Sequence, residues 1–208
     1  MLKPQDIVIL LKIISRSLSE DSEREVWTQS KLALHLCMSG SEVHAGIRRL
    51  CLSKLLAPRI NTDPNKFKFA PVKENCVECL VSAVKYFIPA QLETYTRGIA
   101  TAYAAPIFEG IILRGDDPIP VWPYVEGDQR GLALEPLYRT IPQSIIQYPD
   151  QLFYELLVLV DAIRFGRARE RSIAVKLLKE KIDNEYPKYK NDDKSSHARE
   201  GRKETRRS

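Results

Sequence analysis

At 208 residues, 44% hydrophobic and 28% charged, the chain is long enough to bury a real core and has the composition of an ordinary globular protein. Apolar runs such as 7–11 and 156–160 fall far short of the ~20 residues a membrane span needs, and the amino terminus lacks the long apolar core of a signal peptide, so a cytoplasmic protein with no membrane partner is expected. The net charge of +5 is unevenly spread: residues 1–71 carry 11 Lys/Arg against 7 Asp/Glu, residues 72–148 carry 6 against 9, and residues 149–208 carry 15 against 11. Both basic ends can approach phosphate, which an acidic middle should avoid.

In chain order, Pro4 suits the first turn of a helix, where its missing N–H would be unpaired anyway, and the run that follows predicts a helix over 4–18. Ile7, Val8, Ile9, Leu10, Leu11, Ile13 and Ile14 lie nearly all round it. Such a helix is buried on more than one side, against its own module and against either later segments or a second subunit. Residues 19–25 read as a charged loop, and Val26-Trp27 as a short strand or anchor. A second helix over 28–36 places Leu32, Ala33 and Leu36 on one side, with Ala33 small enough to admit a crossing helix. Only Cys37-Met38-Ser39 separates it from a third helix, expected over 40–54. There Val43, Ile47 and Leu50 recur at i, i+4 and i+7, which turns Ser41, Ala45 and Arg48 outward with His44 and Arg49 on the flanks. Ser39 and Glu42 have the spacing of a capping box, which fixes where this helix begins. Beyond it, Asn61-Thr62-Asp63-Pro64-Asn65 between short extended runs at 55–60 and 66–70 reads as a β-hairpin.

A turn of three or four residues is what a helix-turn-helix uses to set its helices at a steep angle, the second in the major groove. On Gln29, Leu32, Ala33, Leu36, Met38-Ser39, Ser41-Glu42-Val43, Arg48-Arg49-Leu50 and Leu55-Leu56, the chain resembles the winged helix-turn-helix of bacterial transcriptional regulators, broadly MarR-like. The likeness spans roughly residues 4–71. It departs at Cys37, where such turns often carry Gly, so a tight or strained turn is expected. The resemblance implies a sequence-specific regulator of double-stranded DNA, acting as a homodimer. Ser41, His44, Ala45 and Arg48 would face base edges, and Gln29, Ser39, Arg49, Arg59 and Lys68 would position the protein on phosphates. By similarity to other winged helices, Arg59, Lys66 and Lys68 on the hairpin would touch phosphate or the minor groove. Ordinary solvated lysines on a hairpin are the other reading.

Residues 72–88 predict a connecting helix that stops before Pro89. From 89 to 149, Pro89, Pro106, Pro118, Pro120, Pro123, Pro136, Pro142 and Pro149 exclude long helices, while Tyr95, Tyr103, Phe108, Trp122 and Tyr138 supply too much apolar surface for a disordered linker. An ordered, irregular segment is expected. Helix returns from Pro149 to about Tyr186, interrupted near Gly166, with Arg164, Arg167 and Arg171 on one face that either meets phosphate or pairs with Asp161 and Glu170. Residues 188–208, with 8 Lys/Arg against 4 Asp/Glu and almost no apolar residue, read as a disordered basic tail.

The expected organisation is therefore mainly α (α+β). A winged helix-turn-helix (1–71) leads through a connecting helix (72–88) to a Pro-rich segment with carboxy-terminal helices (89–187) and a tail (188–208). Four cysteines without a secretory signal read as reduced thiols. Cys76 and Cys79 have CxxC spacing, but a zinc site would also need two of Cys37, Cys51, His35 and His44, which nothing in the spacing brings together. No metal and no cofactor are expected. The absence of a Gly-rich phosphate loop, an HExxH or a nucleophile elbow argues against an enzyme. The other functional reading is a protein-interaction module, an antitoxin or adaptor with a protein partner, for which the helix-turn-helix serves autoregulation or docking.

Overall fold

The computed structural model describes residues 1–18, 27–59, 67–113, 115 and 117–185. The chain is α+β, and helix α1 (Pro4–Leu18) lies at its centre. Its predicted span is the observed one, and Ile7 to Ile14 are all buried. Asp6 and Ile9 meet α3 (Gly40–Leu52): a Cβ on Gly46 would fall 2.4 Å from Ile9 Cδ1 and 3.1 Å from Asp6 Oδ1, so glycine lets the two helices approach. Lys12 and Ser15 meet the start of α7 (Gln151–Phe165) through Asp150, at 2.9 and 2.7 Å. The second side that the sequence left to later segments or another subunit is thus covered by the chain's own α7, and the sequence argument for a dimer through α1 lapses.

Helix α2 (Gln29–His35) begins at Thr28, whose hydroxyl accepts from Lys31 N at 3.1 Å. Of the two readings of Val26-Trp27, Trp27 fits the anchor and not the strand, being buried in irregular backbone; Val26 lies outside the described residues. Both α2 and α3 end in the same way. Cys37 and Lys54 adopt φ of 51° and 58°, and the paired bonds Cys37 N to Leu34 O with Met38 N to Ala33 O, and Lys54 N to Cys51 O with Leu55 N to Leu50 O, form two Schellman caps. This corrects the extent of α3, which stops at Leu52 rather than Lys54. It also explains the departure at Cys37: the position needs left-handed backbone, which glycine adopts without strain and a residue with Cβ does not.

Strands β1 (Leu56–Pro58) and β2 (Phe69–Pro71) pair antiparallel, Leu56 opposite Pro71. The hairpin tip predicted at Asn61 to Asn65 lies outside the described residues. The connecting helix runs as α4 (Lys73–Glu78), a π-turn at Cys79–Ala83, and α5 (Val84–Phe87), and it does stop before Pro89.

The Pro-rich segment is less irregular than expected. It contains β3 (Leu92–Ala100), β4 (Pro120–Pro123) and β5 (Gln129–Leu134), with β3 antiparallel to both others and β4 parallel to β5, so the three strands close on one another. Proline density hid them because β3 and β5 contain none and both prolines of β4 lie at its ends, where a missing N–H is tolerated. A Cβ at Gly98 would lie 2.0 Å from Trp122 O, so the closure depends on glycine there.

Helix α6 (Ile141–Gln147) leads into α7, and Gly166 separates α7 from α8 (Ala168–Glu185). Of the arginine face, Arg164 bonds Asp161 at 2.6 Å and Ile88 O at 2.8 Å, and Arg171 bonds Ile163 O and Gly166 O. Arg164 thus pairs with Asp161 as one reading expected, whereas Arg171 is taken up by backbone carbonyls rather than by Glu170. Asp161, fully buried, also accepts from Thr101 and Trp122 Nε1, which fastens α7 to the three-stranded unit. One cluster of buried residues runs from Ile7 to Ile182. Among the described residues no helix is long and apolar enough to cross a membrane. The basic tail 188–208 lies outside the described residues.

Candidate nucleic-acid interface

Helix α3 is built so that each of its faces but one is already used. Val43, Ile47 and Leu50 enter the core, and Gly46 abuts α1. Arg49 donates from Nε to Asp6 Oδ2 at 2.7 Å and from Nη2 to Asp6 Oδ1 at 2.6 Å. Asp6 has no exposed surface and also accepts from Lys3 N at 2.8 Å, so the guanidinium is held as the partner of a buried carboxylate. Two of its donors, Nε and Nη2, therefore face inward.

At the start of α3 the capping box is complete. Glu42 N donates to Ser39 Oγ at 3.2 Å, and Ser39 N and Oγ both donate to Glu42 Oε2, at 3.0 and 2.8 Å. The Ser39 hydroxyl hydrogen is thereby taken up within the cap. Glu42 is also engaged from the far half of the chain, where the Tyr138 hydroxyl donates to its Oε1. That bond, then those from Ser39, pull the carboxyl down to about 2, and the same contact raises the Tyr138 phenol.

The remaining face carries Ser41, His44 and Arg48, all exposed, with Ala45 half-buried between them. His44 Nδ1 lies 3.3 Å from Gln29 Oε1, which joins the start of α2 to this face. Arg59 and Lys68 are exposed at the described end of the hairpin, with Arg59 N donating to Lys68 O at 2.8 Å. Lys66 lies outside the described residues.

Four residues that position this face were not found in the sequence. Thr140 Oγ1 donates to Leu36 O at 2.8 Å and Ser144 Oγ to His35 O at 2.6 Å, which satisfies the carbonyls left over at the end of α2. Tyr138 makes the third tie, and Tyr148 stacks on His35 with ring centres 4.6 Å apart. Below α1, Asp150 caps α7 through Phe153 N at 2.9 Å. Its burial pushes the carboxyl up, but Lys12, Ser15 and that N–H outweigh it and hold the group below its usual value.

In the CxxC pair, Cys76 Sγ donates to Leu55 O at 3.2 Å, and burial, with Cys79 beside it, pushes its thiol up to about 12. Among the described residues, no three His, Cys, Asp or Glu side chains gather where they could hold a metal ion.

No protein-family model matches the chain, and no curated protein or solved structure matches it.

Proposed function

We propose that the chain is a sequence-specific regulator that binds double-stranded DNA through a winged helix-turn-helix, with α3 in the major groove and the β1–β2 hairpin as the wing. The observation that carries this reading is the face Ser41, His44, Ala45 and Arg48. It is the side of α3 left over after core, cap and ion pair are assigned; Ser41, His44 and Arg48 make it polar with one fixed cation, and the exposed Leu52 lies at its carboxy-terminal end. On this reading Arg48 would bond guanine in the bidentate manner open to a guanidinium, and Gln29, Arg59 and Lys68 would meet phosphates. With α7 covering α1, a homodimer would use another surface.

The experiment is binding of the purified protein to DNA from its own upstream region and to unrelated DNA of equal length, across a salt series. We expect a preference for its own DNA that survives rising salt, and a loss of about 1–3 kcal/mol of that preference on Arg48→Ala. Equal binding to both DNAs that vanishes with salt refutes it.

One observation favours the antitoxin or adaptor reading: Leu113 and Val125, on loops of the three-stranded unit, are 95% and 87% exposed. On that reading Leu113→Ser with Val125→Ser abolishes association with a protein partner and leaves DNA binding intact.

A further inference from the structure

We infer that Arg139, which lies outside the helix-turn-helix, is a phosphate contact on the same double-stranded DNA surface; this rests on the reading of α3 as the recognition helix. Arg139 is exposed, and its guanidinium carbon lies 5.8 Å from the centre of the Tyr138 ring. Tyr138 is bonded to Glu42 in the first turn of α3, next to Ser41 of the outward face. On its other side Thr140 is bonded to Leu36 O, and Ser144 to His35 O. A cation from the acidic middle of the sequence is therefore held beside the start of α3 by ties on both sides of it.

Glu42 does not consume this cation. Its carboxylate already accepts from the Tyr138 hydroxyl, the Ser39 hydroxyl and the Ser39 N–H, and Arg139 contributes least to holding it ionised. Arg139 therefore keeps donors for a phosphate beside α3. A helix in the major groove is flanked by sugar-phosphate walls, and a residue beside that helix meets the wall rather than base edges. A guanidinium held against an aromatic ring is also partly pre-organised, so less side-chain freedom is lost when it bonds phosphate.

The test uses the full chain, with wild type, Arg139→Ala, Arg139→Lys and Arg48→Ala measured on its own upstream DNA and on unrelated DNA from about 0.05 to 0.3 M salt, a roughly sixfold range in which phosphate contacts dominate. Loss of one contact lowers the slope of log K against log salt by about 0.9, which is about eightfold weaker binding at ~0.1 M, equally on both DNAs. We expect Arg139→Ala to do this and Arg139→Lys to restore the slope, with thermal midpoints unchanged. Unaltered affinity and slope for Arg139→Ala, with wild type still preferring its own DNA, overturn the assignment of Arg139 and leave the DNA reading standing. A loss confined to the protein's own DNA, with the slope unchanged, also overturns it. If wild type shows no preference and Arg48→Ala changes nothing, the recognition-helix reading itself fails.

Discussion

Replacing Arg49 with methionine separates two roles that the sequence cannot tell apart. Asp6 has no exposed surface and takes three donors, two of them from Arg49 at 2.7 and 2.6 Å. Arg49→Met leaves a buried carboxylate with only the Lys3 N–H and the amino-terminal end of α1 to support it. Truncating one partner of a buried pair costs about 3–5 kcal/mol. The Arg49 side chain is 22% exposed, which lets water reach the vacated space and places the expected loss at the lower end of that range, about 3 kcal/mol. In a chain of this size that is a drop of roughly 6–12 °C in the thermal midpoint. Denaturant unfolding of the wild type, Arg49→Met, Asp6→Leu and the double variant reads the loss directly, and the double variant should recover much of it, since an apolar pair leaves no stranded charge. Binding of folded Arg49→Met to DNA should keep the wild-type salt slope. If instead its stability stays within about 0.5 kcal/mol of wild type, the range of a neutral surface change, and its salt slope falls, Arg49 is a phosphate contact and the inward assignment is wrong.

The left-handed cap at Lys54 predicts that Lys54→Gly stabilises the protein by about 1 kcal/mol, because it relieves a Cβ clash at a position whose two cap bonds are retained; thermal unfolding checks the sign. Tyr138→Phe should make stability less dependent on acid. The carboxyl of Glu42 sits near 2 when folded against an ordinary 4.5, so the stabilisation it provides is full above the ordinary value and is lost as pH falls towards 2. The gap in midpoint between wild type and Tyr138→Phe should therefore narrow over that window, and a constant gap from pH 6 to pH 2.5 would remove the role given to the Tyr138 bond.

Local chemistry was legible in the sequence because its causes are local. Pro4 and the run after it set α1, the Ser39 and Glu42 spacing set the start of α3, and the stripe of Val43, Ile47 and Leu50 decided which side of α3 turns inward. Ser41, His44 and Arg48 follow as the outward face from helical period alone. What the period cannot tell is whether a flanking polar residue has a partner far away. Arg49 and Asp6 are 43 positions apart, and Tyr138 and Glu42 are 96 apart, so no spacing rule connects them. The three-stranded unit was missed for a related reason: proline density is a property of a stretch, whereas strand pairing depends on where each proline falls and on partners some 20–40 residues away. Sequence determined where α1, α2, α3, the connecting helix and the carboxy-terminal helices lie and where α3 starts, but not α6 inside the Pro-rich segment. Only the tertiary structure decided that α1 is covered by α7, that Arg49 and Ser39 are engaged within the fold, and that Tyr138 brings Arg139 to the start of α3, because burial and ion pairing depend on what the chain brings together through space.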